Sequence, residues 1–237
     1  MVHFRRIAVL SDLAGRITNL ESARPIRIAI DGRTASGKTT LADELATLIQ
    51  RKHRQVIRTS IDGFHRPKAE RYARGRYSAE GYYYDARDLA AVATLLLDPL
   101  GPGGDLQYRT ASFDLENDEP IAQEVQLAAA NAILIVDGTF LQRSELRGGW
   151  DLTIFVETSE LVSEQRGLSR DIGRLGGAET TRQLYAGRYR PAYDLYERLC
   201  APASIADVIL NNDDFDRLHM KIRQDGRLFG SVPTTNH

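Results

Sequence analysis

The sequence holds a single cysteine, a single tryptophan and two methionines. Cys200 has no partner for an internal disulfide and is flanked by Leu199 and Ala201. It reads as a packed thiol, and the chain is expected to be cytoplasmic. Neither sign of charge is in excess: 31 basic against 32 acidic side chains leave a formal net charge of −1. That balance argues against a broad electrostatic footprint for nucleic acid or an anionic membrane. No stretch approaches the ~20 apolar residues of a membrane helix. The opening MVHFRRIAVLSD carries an arginine pair but too short an apolar stretch for a signal peptide. Internal repeats, low-complexity tracts and linkers are missing too. The reading is therefore one domain over 1–237, with 42% hydrophobic residues to build its core.

What is present is an alternation of periods. In the amino-terminal segment 1–24, Ile7, Leu10, Leu13, Ala14, Ile17 and Leu20 make one stripe of a helix that ends before Pro25. Strands are predicted over 26–30, 56–61, 132–136, 152–156 and, as the last core strand, 206–210. Helical spacing occupies 39–49, 86–97, 161–175 and 180–199, the last two parted by Gly176-Gly177. Residues 62–85 are basic and tyrosine-rich without a steady period and read as a long loop or a loop with a short helix in it, 106–113 as a strand or a hairpin arm, and the tail from Ser231 as frayed. Nearly all-apolar strands such as ILIV suit a parallel sheet covered on both faces. Strands alternating with helices predict an α/β fold with a doubly wound parallel sheet.

Between the first strand and the next helix lies Gly32-Arg33-Thr34-Ala35-Ser36-Gly37-Lys38-Thr39, followed by Thr40. It fits G-x-x-x-x-G-K-[ST] at every fixed position, a coincidence expected roughly once per hundred chains of this size from ordinary residue frequencies. Glycines let successive N–H groups turn inward toward phosphate oxygens, and the helix beginning at Lys38 adds its positive end. The Lys38 ammonium is expected to reach the β/γ-phosphates and the Thr39 hydroxyl to ligate Mg²⁺. The segment is read as a triphosphate site of a P-loop protein. No N-K-x-D motif for guanine is present.

Two acids end strands where an open α/β sheet binds ligands. Asp62, in Ser60-Ile61-Asp62-Gly63-Phe64-His65, is placed to accept a proton from an attacking hydroxyl, or else is a turn residue. Asp137, in ILIVDG, is placed as an oxygen ligand for Mg²⁺, with a turn aspartate as the plainer alternative. Arg166, Arg170 and Arg174 recur at fours ahead of the glycine pair. They form either a solvated stripe or a cationic lid over 161–180 that neutralises a transferring phosphoryl group.

The phosphate loop, the SIDGFH stretch, Tyr84-Asp85, Ile135 to Gly138, 151–156, Arg170-Asp171 and Ala206 to Ile209 come in an order that resembles the uridine kinase/phosphoribulokinase/pantothenate kinase group. The resemblance spans about 26–212 and implies a P-loop kinase of the nucleoside and nucleotide kinase type, with an acceptor-binding region at 62–113 and a helical lid. It implies ATP-dependent phosphorylation of a hydroxyl on a small metabolite, nucleoside-like first and pantothenate-like as the alternative, with a regulatory ATPase less favoured. Asp62 then takes the place of the catalytic base and Asp85 that of the acid holding a ribose diol. Tyr108 stands where an aromatic lines the base pocket, and Arg166 and Arg170 where lid arginines stand. His65, Tyr84, Phe113 and Arg174 complete the expected acceptor site. Phe113 stands where a pyrimidine-binding histidine is usual, and Asp137 where glutamate precedes the glycine. The partners expected are ATP, Mg²⁺ and a small hydroxyl acceptor, with neither nucleic acid nor membrane, and a homo-oligomer is compatible with all of this.

Overall fold

Strand β1 (Ile26–Gly32) is buried at all seven positions. It pairs in parallel with β3 (Ile133–Gly138) on one side and β4 (Leu152–Glu157) on the other. In the computed structural model, which describes residues 3–230, β2 (Val56–Ser60) extends the sheet beyond β3 and β5 (Val208–Asn211) beyond β4, both in parallel. Strand β6 (His219–Ile222) closes the β5 edge antiparallel, giving the order β6-β5-β4-β1-β3-β2.

Side chains alternate across a strand, so Ile26, Ile28 and Ile30 face one layer and Ala29 the other. The first layer holds α1 (His3–Thr18) and α2 (Lys38–Gln50), which bring Leu10, Leu13, Ile17, Leu41, Leu45 and Ile49 onto the isoleucines. On the other face Leu134 and Val136 meet Phe64, Leu96 and Trp150. This layer includes α3 (Leu89–Val92), capped by Asp88, whose carboxylate accepts the Ala91 N–H at 3.0 Å. A third, aromatic cluster of Tyr83, Phe140, Phe155, Tyr193 and Tyr196 joins the carboxyl end of the sheet to the last helices. The sheet is thus doubly wound and mostly parallel, as the alternation of periods predicts.

Several expected elements differ in detail. The helix read over 86–97 is α3 followed by a wide π turn, Ala93–Leu97. That read over 161–175 is α4 (Glu160–Asp171), begun by Ser159, whose hydroxyl accepts the Val162 N–H. That read over 180–199 is broken into α5 (Ala178–Leu184), a π turn at Tyr185–Tyr189, and α6 (Arg190–Cys200). Pro191 explains the break: it lacks an N–H for the preceding turn, and its ring crowds the carbonyl four residues back. The segment read over 206–210 as the last core strand is β5, and one further strand, the edge strand β6, follows it. The β6 sequence His-Met-Lys-Ile is half polar and marks an edge, where lysine discourages further pairing. Cys200 is free and buried, as expected, whereas the tail from Ser231 lies outside the described residues.

Asp151 pins the amino ends of β1 and β4 together. Its carboxylate accepts the Arg27 N–H at 2.9 Å and Arg27 Nε at 3.0 Å, and Arg24 binds both its oxygens at 2.8 and 2.6 Å. Burial alone raises its pKa, but the hydrogen bonds from Arg24 and Arg27 overcome this and hold it well below the usual carboxylate range. Asp151→Ala leaves the Arg27 charge buried without its partner. The expected loss is about 3–5 kcal/mol, read by urea unfolding at neutral pH. The depressed pKa fixes the sign of the pH dependence. The contribution is complete above the unfolded value of about 3.9 and disappears as acid titrates the folded carboxylate, so the gap between wild type and variant closes in acid.

Candidate active site

The phosphate loop leaves β1 at Gly32 and enters α2 at Lys38. Gly37 caps α2 in the left-handed region, at φ 94°, and a Cβ there would stand 2.5 Å from Asn212 Nδ2. That crowding has a purpose in the packing: Asn212 Nδ2 donates to the Ser36 carbonyl at 2.7 Å, and Thr158 Oγ1 donates to the same oxygen at 3.2 Å. The loop's shape is therefore fixed from β4 and β5 as well as by its own glycines. Arg33 stacks 4.3 Å above the Tyr193 ring, while Thr34 and Ala35 form the half-buried crest and Thr40 is exposed in the first turn of α2.

Lys38 Nζ donates to the Arg33 carbonyl at 2.7 Å. Burial pushes its pKa down to about 8, partly offset by the carboxylates of Asp137, Asp31 and Asp62. Beside it Thr39 Oγ1 donates to Asp137 Oδ2 at 2.6 Å. The other carboxylate oxygen, Oδ1, is buried without a hydrogen-bond partner, although Arg58 Nη1 lies 2.8 Å away. No cluster of three or more His, Cys, Asp or Glu side chains suited to a metal occurs among the described residues. Thr39 and Asp137 nevertheless fit a hard divalent cation. They offer adjacent oxygen donors, one of them unsatisfied, to an ion whose remaining ligands are phosphate oxygens and water.

Asp62 follows β2 in a tight turn begun by Ser60, whose hydroxyl accepts the Asp62 N–H at 3.3 Å. Its side chain is 60% exposed and opens into the cleft, with Oδ1 held by Arg87 Nη2 at 2.7 Å. Desolvation raises its pKa, but Arg87, His65 and Lys38 together bring it below the ordinary value. His65 shares a 2.8 Å hydrogen bond with the Asp62 carbonyl through Nδ1. Burial first, and Arg87 second, push the imidazole down to about 4. Lys38, Thr39, Asp62 and Asp137 thus converge at the carboxyl ends of three adjacent strands, β1, β2 and β3, with His65 behind them.

The remaining expected residues are distributed more widely. Arg170 lies close enough to lower the Lys38 pKa, while its guanidinium is bonded to Asp171 at 2.8 and 2.9 Å. Asp171 also accepts the Tyr185 hydroxyl at 2.8 Å, an approach open only because Gly167 has no Cβ to meet the Tyr185 ring. Arg166 binds the carbonyls of Asn212 and Asp213, both at 2.8 Å, and Arg174 is 71% exposed beside Asp171. Arg166 is thus held on the segment after β5, while Arg170 and Arg174 share Asp171. Asp85 is bonded to Arg74 at 2.8 Å, and Tyr84 is exposed beside it. Tyr108 is buried in the core, its hydroxyl donating to Gln126 at 3.0 Å. Phe113 is buried in a short ladder with Pro120, which hangs on the Asp62 turn through Ser112 N–H to the Gly63 carbonyl at 2.8 Å.

Sequence reasoning missed Arg58, Arg87 and Asp31. Asp31 is wholly buried beneath the phosphate loop. It accepts from Tyr196 Oη, from Gln142 Nε2 at 3.2 Å and from Gly32 N–H at 2.8 Å, and burial raises its pKa. Arg58 carried a signal, being a charge inside a short strand of otherwise apolar and small residues. Arg87 carried none, because its pairing with Asp62 arises only in the folded chain.

The lowered Lys38 pKa has a measurable consequence. A bound triphosphate surrounds the ammonium with negative charge and raises its pKa, so nucleotide binding near pH 8 is expected to take up protons. Calorimetry in two buffers of different ionisation enthalpy should show this uptake near pH 8. It should vanish near pH 6, where Lys38 is already charged, and in Lys38→Gln. Uptake unchanged in the variant would assign the proton to another group.

The Phosphoribulokinase / Uridine kinase family profile matches residues 27–215. Uridine-cytidine kinase B of Dictyostelium discoideum is 31% identical over 192 residues, covering 80% of this chain and 75% of that protein. A uridine kinase of Clostridium tetani is 24% identical over 204 residues, covering 85% of this chain and 93% of that one. Among solved structures, a chain described as a possible uridine kinase from Bacillus stearothermophilus superposes with a TM-score of 0.68 at 26% identity, over 88% of this chain and 99% of that one. D-glycerate 3-kinase from Cryptococcus neoformans shares the fold alone, with a TM-score of 0.58 at 12% identity, over 93% of this chain and 98% of that one. With its phosphate loop and strand-end acids in place, the chain is a P-loop kinase and belongs to the phosphoribulokinase/uridine kinase family.

Proposed function

We propose that the protein transfers the γ-phosphoryl group of ATP to a hydroxyl of a nucleoside-like acceptor, with Mg²⁺ as the metal. The observation that carries this is the convergence of Lys38, the Thr39–Asp137 pair and Asp62 at the ends of neighbouring strands. The names of the relatives support the nucleoside-like acceptor. The loop backbone and Lys38 hold the triphosphate, and Thr39 and Asp137 are the residues that would hold Mg²⁺. When bound, that ion would neutralise charge on the phosphate oxygens.

Asp62 receives the acceptor's hydroxyl proton as the acceptor oxygen bonds to the γ-phosphorus and the bond to the β–γ bridging oxygen breaks, releasing ADP. Its depressed pKa keeps it ionised and able to orient that hydroxyl, while Arg87 fixes one of its oxygens and leaves the other for the acceptor. Arg170 supplies positive charge to the transferring group from α4, which together with the glycine pair at 176–177 acts as the lid. Asp85 meets the acceptor diol by exchanging Arg74 for it.

A nucleoside panel tests this reading. Uridine or cytidine should stimulate ADP release, whereas equal release with no acceptor would make the protein an ATPase. Asp62→Asn should lower turnover by ~10²–10⁴-fold with nucleotide affinity little changed. A loss below tenfold would remove Asp62 as the base. Asp85→Ala should raise the acceptor's KM and leave that for ATP alone.

A further inference from the structure

Arg58 stands where the metal reading leaves no role for a cation. It projects from β2 between two acids, with Nη1 2.8 Å from Asp137 Oδ1 and Nε donating to Asp43 Oδ1 at 2.8 Å. The two partners differ sharply. Asp137 is buried and belongs to the nucleotide site, whereas the Asp43 side chain is 61% exposed on α2. Arg58 itself is 20% exposed, so its head borders solvent on the Asp43 side. An isolated carboxylate as buried as Asp137 is costly, and Arg58 supplies the compensating charge. Yet the contact is off the hydrogen-bonding line: Nη1 donates to the Thr59 carbonyl, and Asp137 Oδ1 has no hydrogen-bond partner. The charge is neutralised while the lone pair stays open.

We propose that Arg58 is an internal counter-ion that occupies Asp137 in the nucleotide-free protein, and that it turns to Asp43 when a divalent cation arrives with the nucleotide. The exchange keeps every charge paired. Asp137 passes from a guanidinium to a metal ion, and Arg58 keeps the carboxylate it already holds on α2. A cation alone must displace Arg58 with only Thr39 and Asp137 to bind it, whereas one carried by a triphosphate brings most of its own ligands. Arg58 thereby makes the site selective for the metal–nucleotide complex over the free metal. The inference rests on Asp137 as a metal ligand.

The test is direct binding of Mn²⁺, which takes the same oxygen ligands as Mg²⁺, counted by its electron paramagnetic resonance signal without nucleotide and with a non-hydrolysable ATP analogue. Arg58→Met should bind free Mn²⁺ about tenfold more tightly than wild type, as expected when a like charge is removed from the first neighbour of the ligand. The analogue should bring the two proteins close together. Arg58→Lys, which keeps a charge at the position, should stay near wild type, and Asp137→Asn should abolish the gain when combined with Arg58→Met. Circular dichroism and an intact unfolding transition establish that each variant is folded. Equal free-Mn²⁺ affinity in folded Arg58→Met and wild type would overturn the counter-ion. Analogue-dependent Mn²⁺ binding untouched by Asp137→Asn would instead overturn Asp137 as a ligand.

Discussion

The structure depends on holding a set of charges at the dry end of a sheet buried on both faces. Asp31, Lys38 and Asp137 all lie at the carboxyl ends of central strands, and all are buried. Each receives a specific answer from the chain. Asp31 is held by a tyrosine, a glutamine and a backbone N–H, Lys38 by the Arg33 carbonyl, and Asp137 by Thr39 and Arg58. Under the function proposed above, two of these solutions are the ones that would yield: a lysine turned onto its own loop would yield to phosphate, and a carboxylate paired off-line with arginine to the metal. The Asp31 network, which closes on side chains from α6 and the segment after β3, gives no such opening and is the permanent floor of the loop.

That floor is braced from a direction the motif does not suggest. Arg6 on α1 is buried, binding Glu44 at 2.7 Å, Asn212 Oδ1 at 2.9 Å and the Phe215 carbonyl at 3.1 Å, with the Phe215 ring 4.1 Å below. Asn212 in turn holds the Ser36 carbonyl. The amino-terminal helix is thus joined through two side chains to the phosphate loop, and Arg166 on α4 is bonded to the same segment at Asn212 and Asp213. Two helices, α1 and α4, thus meet the chain leaving β5 on one short stretch beside the loop. Its geometry is a property of the whole layer, which is why isolated loop residues are poor guides to how firmly the triphosphate is held.

Legibility in the sequence followed the range of the interactions involved. The core strands and α2 could be read because hydrophobic periodicity is local and strong. The phosphate loop could be read because backbone geometry restricts residue type at fixed spacings. Asp62 and Asp137 followed from the rule that ligands gather at strand ends. Elements set by something other than apolar spacing were the ones misjudged. The break after α5 follows from Pro191 and the wide turn after α3 from i→i+5 bonds, neither of which apolar spacing encodes, and β6 exists only because β5 offers it an edge. The arginines on α4 shared a helical face in the sequence, yet Asn212, Asp213 and Asp171 divide them.

The basic, tyrosine-rich segment shows the same principle on the acceptor side. Its sequence resembles a surface for single-stranded nucleic acid, with cations interleaved among rings. In the fold Arg71, Arg87, Arg143 and Arg188 are buried. Arg188 lies 4.9 Å from the rings of both Tyr72 and Tyr82, and Arg143 lies 4.4 Å from Tyr83. These guanidiniums face aromatic rings inside the wall, and carbonyls satisfy part of their donor sets, including those of Arg76 for Arg188 and Arg66 for Arg71. Of the segment's own cations only Arg71 is buried, while Lys68, Arg74 and Arg76 are exposed, so the wall both encloses positive charge and presents it to solvent. Arg87, bonded to Asp62 at 2.7 Å, helps hold that carboxyl below its ordinary pKa. The tyrosines supply the framework, and under the function proposed above the buried arginines would set the electrostatic level at which an acceptor hydroxyl meets Asp62.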